Sequence, residues 1–506
     1  MEIDTKKEIV SLLLNKGVIL NRNMLTQIGE IPDPDSFRSF IMTQPLQEIP
    51  DFSFILEKYN QERKNEESLS SIEYPSEQGT VEILFSYNEA PKKRDVQDFV
   101  NYFTARYEAI SAILKHRKEL QSLTSINRLN QKKEKEQIAV IGIVKDKQET
   151  KTGKIMLTLE DPTGTIKAAV STNSPEAFEL AKETSLDEVI GLTGMSSDKI
   201  IFANNIILPD IPLYKEMKKS PDEAYALFLA DFHFGSKVFL KEAFEKLIFW
   251  LRGEHGNETQ REIPKKIKYI FLVGDLVEGV GIYPDQDNDL EIPDIYEQYT
   301  EFAKHLRRIP GNIKIIICPG NHDAMRLSEP QPTLYKDFAE AVWKMPNVVM
   351  VSNPATINIH ASKEFPGFDI LMYHGFSFPF YADSVESIRN AGGQQRVDLI
   401  MKYLLQRRHL APTHTSTLYL PDQKDNLVIE KIPDFFVSGH IHRVSATSYR
   451  NVTLLSCSCW LEKTEYQEKM GLHPQPGRAV LVNLQTRKVK ILNFYGAEKE
   501  ENEDAQ

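Results

Sequence analysis

The stretch Ile313-Lys314-Ile315-Ile316-Ile317-Cys318-Pro319-Gly320-Asn321-His322-Asp323 decides how this chain folds. Its apolar, β-branched first half reads as a strand buried on both faces, and Pro-Gly closes it. An amide, an imidazole and a carboxylate then follow in a row where strand gives way to loop, the position at which open α/β sheets collect ligands. Four more runs repeat this grammar. Tyr225–Ala230 leads into Asp231-Phe232-His233, and Tyr269–Val273 leads into Gly274-Asp275-Leu276-Val277-Glu278-Gly279. Phe368–Tyr373 leads into His374-Gly375, and Asp434–Ser438 into Gly439-His440-Ile441-His442. The neighbouring glycines let the backbone turn sharply and come close to a ligand. One rim of one sheet is expected to hold all five ends.

Helix signals lie between these runs, such as Leu240, Phe244, Leu247, Ile248 and Leu251, or Tyr299, Phe302, Ala303 and Leu306. Buried strands alternating with amphipathic helices predict an α/β domain over 213–495 with helices on both faces. Asp231, His233, Asp275, Asn321, His374, His440 and His442 offer hard oxygen and borderline imidazole donors and no thiolate. That set suits Mn²⁺, Fe or Zn²⁺ better than copper or an iron–sulfur cluster. Seven donors exceed one site. Shared between two divalent ions about 3.5 to 4 Å apart, with one carboxylate bridging, they would clamp a phosphate and acidify a water. One motif alone would carry little, whereas five in one domain make chance a poor account. The other histidines (His116, His255, His305, His360, His409, His414 and His473) are expected to be structural.

At 506 residues and 41% hydrophobic content the chain is long enough for three to four cores. No apolar run approaches the length of a membrane helix and the first residues lack a signal-peptide core, so no membrane partner and a cytoplasmic location are expected. Cys318, Cys457 and Cys459 fit neither a disulfide framework nor a zinc spacing and are expected to be buried thiols. A net charge of −11 argues against a globally basic nucleic-acid binder. A polyanionic substrate would then depend on local cations, metal ions or a partner.

Ahead of the α/β domain the sequence predicts four segments. Residues 1–45 read as a helical interaction module of three short helices. Residues 46–90 read as a linker, largely flexible, on the strength of the polar run from Gln61 to Ser76. Within 91–135, Val96, Phe99, Val100, Phe103, Tyr107, Ile110 and Leu114 mark one face of a helix expected to pack on the neighbouring domain, followed by a short basic linker. Residues 136–212 carry five strand-like runs with a helix between the third and fourth, the pattern of an OB barrel, though with few aromatic residues to stack bases. Residues 496–506 form an acidic tail.

Asp-x-His, Gly-Asp-x-x-Glu, Gly-Asn-His-Asp, His-Gly and Gly-His-x-His in this order resemble the calcineurin-like metallophosphoesterase superfamily. The order helical module, linker, barrel and phosphoesterase resembles more narrowly the small subunits of archaeal family-D DNA polymerases, helped by Gly279–Pro284 and Gly471–Gly477. The resemblance implies a proofreading 3′→5′ exonuclease on DNA ends. It would work in the cytoplasm at the nucleoid beside a large polymerase subunit, with the sliding clamp reached through the holoenzyme. It implies one metal on Asp231, His233, Asp275 and His442, and a second on Asp275, Asn321, His374 and His440. His322 would be the general acid, with Asp323 orienting it and favouring its protonated form. Glu278 departs from the Asp of many superfamily members, and its role stays open. Two other readings remain, a generic phosphomonoesterase and a structural polymerase subunit. The intact donor set favours an active site.

Overall fold

The computed structural model describes residues 3–43 (except 17, 19, 32 and 33), 52–60, 80–131 (except 91) and 134–496 (except 198). The acidic tail from 497 onward and most of the expected 46–90 linker lie outside these residues. The chain divides into two compact units, Met1–Pro75 and Ser76–Gln506. In the first, helices Ile3–Asn15, Arg22–Gly29 and Pro34–Thr43 share a core of Ile9, Leu13, Ile28, Phe37 and Ile41. Residues 52–60 correct the linker expectation. They are helical, and Phe52, Ile55 and Tyr59 complete that core.

In the second unit two six-stranded sheets face each other. One runs in the order Val348–Met350, Lys314–Cys318, Ile267–Val273, Tyr225–Leu229, Arg478–Asn483, Val489–Asn493. The other runs Val81–Ser86, Ala355–Ile359, Phe368–Met372, Phe435–Ser438, Val452–Ser456, Ser445–Tyr449. The two-residue period of a strand explains the layering. Ala226, Phe228 and Ala230 point into the core between the sheets, where Phe271, Ile370 and Phe435 meet them. Leu227 and Leu229 point outward against Phe244, Leu247 and Phe302 of helices Lys241–Leu251 and Ile295–Leu306. On the far side Leu371, Phe436 and Leu454 pack against Tyr381, Ile400 and Leu404. Helices therefore cover both outer faces, as read from the sequence, but the five motifs do not share one sheet. Three belong to the first sheet and two to the second. Val81–Ser86, placed in the linker from sequence, pairs antiparallel with Ala355–Ile359 and edges the second sheet.

Strands Glu136–Glu149, Ile155–Asp161, Gly164–Val170, Ile200–Ile207 and Val189–Ser197 close into a five-stranded barrel, with helix Pro175–Glu183 between the third and fourth strands in chain order. Helix Val96–Leu114 is capped by Asp95, whose carboxylate accepts the Gln97 and Asp98 amides. Toward its end it buries the face its apolar spacing predicts, through Ile110 and Leu114, but nearer its start it turns another face inward. Tyr102, Arg106, Ile110 and Leu114 are buried, while Val96, Phe99 and Val100 are exposed. The cause is a charge. Asp425 is fully buried and needs a cation, and Arg106 Nε supplies one at 2.7 Å, with His409 Nε2 at 2.8 Å on the same oxygen. Tyr102 adds a ring stacked on Tyr419 at 4.8 Å. Further along, Ile110 and Leu114 meet Ile141, Val189 and Ile207 of the barrel, so one helix joins barrel to sandwich. All three cysteines are buried and free. Among the described residues no helix is long and apolar enough to cross a membrane.

Arg106→Met is expected to destabilise this unit by about 3 to 5 kcal/mol, because it strands a buried carboxylate. Val96→Ser with Val100→Ser should change stability by no more than about 0.5 kcal/mol, as exposed positions do. Urea unfolding of the two variants at pH 8 distinguishes this anchor from the face the spacing predicts.

Candidate metal centre

Every motif residue stands just past the end of a strand. Asp231, Asp275 and Asn321 follow three adjacent strands of the first sheet, and His374, His440 and His442 follow two adjacent strands of the second. The loops are held tightly. Asp231 N–H donates to Gly274 O, His233 N–H to Asp275 O and Gly439 N–H to His374 O. Gly320 is required beside them, since a Cβ there would lie 2.2 Å from Asp275 Oδ1.

Ligand atoms of Asp231, His233 and His442 lie within 4.8 Å of one another, and so do those of Asp275, His374 and His440. His233 Nε2 is 3.2 Å from His442 Nε2, and Asp231 Oδ1 is 3.6 Å from the same His442 nitrogen. In the second group His374 Nε2 is 3.2 Å from Asp275 Oδ2 and 3.1 Å from Asn321 Oδ1. Asp275 Oδ2 also lies 3.8 Å from His233 Nε2, which puts this carboxylate between the two groups. Among the described residues none of the seven other histidines joins them. Asp231, His233, Asp275, His374 and His442 are buried, while Asn321, His322 and His440 are half-buried and form the open lip.

The side chains behind the donors set their direction. His374 Nδ1–H donates to Val273 O at 2.8 Å and His233 Nδ1–H to Glu278 Oε2 at 3.0 Å, leaving each Nε2 lone pair for the centre. Gln467 places its amide 2.8 Å from His442 Nδ1. Glu278 thus has a place, behind a donor of the first group. Gln467 carries no signal in the sequence, since it belongs to no motif and lies past the last motif strand.

Asp323 is a correction. Its carboxylate accepts Gly320 N–H at 2.8 Å and the Tyr299 hydroxyl at 3.0 Å, and so braces the loop from below. The ring of His322 is instead held by Glu278 O, which accepts Nδ1–H at 2.9 Å, while the His322 amide donates to Asp275 Oδ1 at 2.7 Å.

Residues 225–444 match the calcineurin-like phosphoesterase family. Across the chain the similarity is to proteins named DNA polymerase II small subunit. That of Archaeoglobus fulgidus is 38% identical over 79% of this chain and 78% of its own. That of Methanothermobacter thermautotrophicus is 31% identical over 96% and 99%, and that of Pyrococcus abyssi is 36% identical over 79% of this chain. This chain belongs to the family of archaeal DNA polymerase II small subunits. The match spans 64% of the Pyrococcus abyssi relative's length, just under two thirds.

For a member of this family with a phosphoesterase domain, divalent metal is the implied cofactor, and the charges fit one. Burial opposes a charge on His233, yet Glu278, Asp275 and Asp231 outweigh it and hold the imidazole up to about 9. Burial likewise opposes a charge on His374, and Asp275 with Asp231 raises it to about 10. Burial pushes the Asp231 carboxyl up, whereas around Asp275 the imidazoles of His374, His322 and His233 overcome burial and hold it down. The two carboxylates draw positive charge to the points where a cation would sit. Burial first, and then the neighbouring imidazoles, push His440 and His442 down against the opposing Asp275, so both stay neutral. His322 is also held below its usual range, by burial first, with Asp275 opposing.

A third tier lies below. His374 N–H donates to Asn353 Oδ1 at 2.8 Å, Asn353 donates to Gln331 Oε1 at 2.8 Å, and Gln331 donates to Gly320 O at 3.0 Å. Beside them Glu329 accepts from the Tyr373 and Thr417 hydroxyls at 2.9 Å each. Burial raises its carboxyl to about 7 despite these donors. An acid raised in the folded state contributes stability that is full below its unfolded value of about 4.3 and is lost as pH rises through 7. Glu329→Gln removes that dependence. The unfolding free energy of the variant minus that of wild type is expected to be about 2 to 3 kcal/mol larger, in favour of the folded variant, at pH 8.5 than at pH 4.5, measured by urea denaturation at both.

Proposed function

We propose that this chain is the proofreading 3′→5′ exonuclease of a DNA polymerase, hydrolysing the terminal phosphodiester of a DNA 3′ end beside a large polymerase subunit. The observation that carries the reading is the position of Asp275, between two complete donor groups and bonded to the backbone of a half-exposed histidine. A phosphodiester needs charge neutralised on its oxygens, a water to attack and a proton for the departing oxygen. The lip formed by Asn321, His322 and His440 offers a substrate access to all three.

Asp231, His233, Asp275 and His442 would hold one divalent ion, and Asp275, Asn321, His374 and His440 the other. Mn²⁺ is our choice for the mixed oxygen and imidazole set, which would accommodate Fe or Zn²⁺ as well. Such a pair supplies Lewis-acid charge and an acidified water. His322 acts as general acid. Because Glu278 O occupies its Nδ1–H, Nε2 is the nitrogen that exchanges protons. The imidazole is neutral until substrate binds, and an anionic phosphodiester beside it favours the charged form. The proton then goes to the 3′ oxygen of the next nucleotide as a nucleoside 5′-monophosphate leaves. Asp323 serves by fixing the loop that carries Asn321 and His322.

The relatives' description as small subunits supports a large partner, with the sliding clamp reached through the assembled polymerase. The closed barrel, with its helix between the third and fourth strands, is read as an OB fold that scaffolds the nuclease. A purely structural subunit is the rival reading, and the full donor set speaks against it. A phosphomonoesterase would have no use for the barrel.

Asp275→Ala removes a donor from both groups, so metal content and cleavage of 5′-labelled single-stranded DNA are expected to fall together. His322→Ala should keep its metal and lose about 10² to 10⁴-fold in turnover. Part of that rate should return on a p-nitrophenyl diester, whose leaving group needs little protonation. Loss of metal by His322→Ala, measured by elemental analysis, would make His322 a ligand instead. Wild-type cleavage of p-nitrophenyl phosphate but not of DNA would overturn the exonuclease reading.

A further inference from the structure

The loop that leaves the metal centre at Glu278 carries a combination of groups that the hydrolysis itself does not use. Val280, Ile282 and Tyr283 are exposed, at 44%, 38% and 38%. Three apolar side chains in four residues, open to water beside a polar centre, call for an occupant. The loop is rigidly rooted. Gly279 packs so closely on His322 that a Cβ would lie 2.3 Å from the His322 carbonyl oxygen. Its amide donates to Gln298 Oε1 at 3.0 Å and its carbonyl accepts from Gln298 Nε2 at 3.2 Å. Buried Gln286 accepts the Ile282 amide at 2.9 Å and donates to Glu278 O at 3.1 Å. The Tyr283 hydroxyl lies 3.2 Å from Glu278 Oε1, the residue that orients His233.

The flank of the same loop is acidic. Asp285, Asp287, Asp289 and Glu291 are all exposed, and Lys237 meets the loop at backbone oxygens, its ammonium at Asn288 O and its amide at Asp289 O. Carboxylates repel a phosphate backbone, which cations would have to hold. The surface therefore suits bases and not phosphates. The tip stands close to the donors, since Glu278 alone separates the Tyr283 hydroxyl from the ring of His233, with 3.2 Å on one side and 3.0 Å on the other. A phosphodiester at the centre brings the adjoining bases within its reach. We propose that Val280, Ile282 and Tyr283 receive the unstacked bases of a DNA 3′ end, and that the acidic flank turns away the backbone of a paired strand. These residues would set which ends enter, an unpaired end being accepted and a duplex end having to fray first. The proposal rests on the exonuclease reading above.

The test uses the full chain and a fluorescein-labelled single-stranded oligonucleotide with phosphorothioate linkages at its 3′ end, followed by anisotropy. The Val280→Ser, Ile282→Ser double variant changes exposed side chains, and circular dichroism checks its fold. Its Kd for this probe is expected to rise about tenfold, the worth of a base contact. With a second probe whose last two nucleotides are abasic, wild type and variant should bind alike, since the bases the loop would hold are missing. An unchanged Kd on the first probe, or the same weakening on both, overturns the proposal. Wild-type hydrolysis of bis(p-nitrophenyl) phosphate is measured in parallel. Its absence would defeat the nuclease reading, while the binding comparison still judges the loop.

Discussion

Five of the seven donor residues are held where an L-residue avoids going. Asp231, His233, Asp275, His440 and His442 have φ of 54°, 50°, 50°, 69° and 58°, the left-handed region that glycine enters freely and a side chain enters at a cost of about 1 kcal/mol or more. The geometry of the centre depends on this constraint. In an extended strand Asp231 and His233, two residues apart, would share a face with their Cα atoms about 7 Å apart, and the left-handed steps bend the backbone so that their side chains converge. Backbone hydrogen bonds between neighbouring strand ends hold the bends in place: Trp460 N–H to Asp231 O, Gln475 N–H to His442 O, Phe234 N–H to Leu276 O.

Once the bends are fixed, electrostatics completes the arrangement. Two carboxylates and four imidazoles brought together with little water are stable only if protons or metal ions balance them. The backbone oxygen of Val273 and the carboxylate of Glu278 decide which imidazole nitrogen faces inward. Glu278 stands at a crossing of roles. Its Oε2 fixes His233, its carbonyl fixes His322, and its Oε1 and carbonyl receive the loop that follows through Tyr283 and Gln286. A donor, the proposed acid and the proposed base-receiving loop therefore share one residue, so their relative positions do not depend on a flexible connection.

Much of this was legible before any coordinates. Strands buried on both faces show as unbroken apolar runs, and a polar residue beside Gly at the end of such a run has few other uses, so seven candidate ligands could be named, and the structure gathers them at one cluster of strand ends. Other features depend on partners distant in sequence. Whether five parallel runs form one sheet or two is decided by pairings such as Tyr225–Leu229 with Arg478–Asn483, hundreds of residues apart. The face of helix Val96–Leu114 that turns inward is chosen by Asp425, which its own apolar period does not register. The strand Val81–Ser86 is legible only once Ala355–Ile359 offers it an edge. Asp323 follows His322 directly, and that adjacency suggested a pair. In the turn their side chains go to opposite sides, one to Glu278 O and the other to Tyr299.

The left-handed positions also bear on whether this chain is an enzyme or a scaffold. Glycine at Asp231, Asp275 or His440 would relieve backbone strain, and at Asp231 or Asp275 it would also remove a buried carboxylate. A subunit that served only as a support would shed strain by such changes and lose no ladder bond of its sheets, since each residue lies beyond a strand end, at the cost of the carboxylate that the His322 or His440 amide donates to. This sequence has a side chain able to ligate a metal at all five positions. It also keeps the tier that aims them, with Asn353, Gln331 and Glu329 buried and hydrogen-bonded beneath His374 and Gly320. Strain and buried polarity at one spot persist where a function depends on them. Their coincidence in one cluster of strand ends supports a working metal centre over a vestigial one.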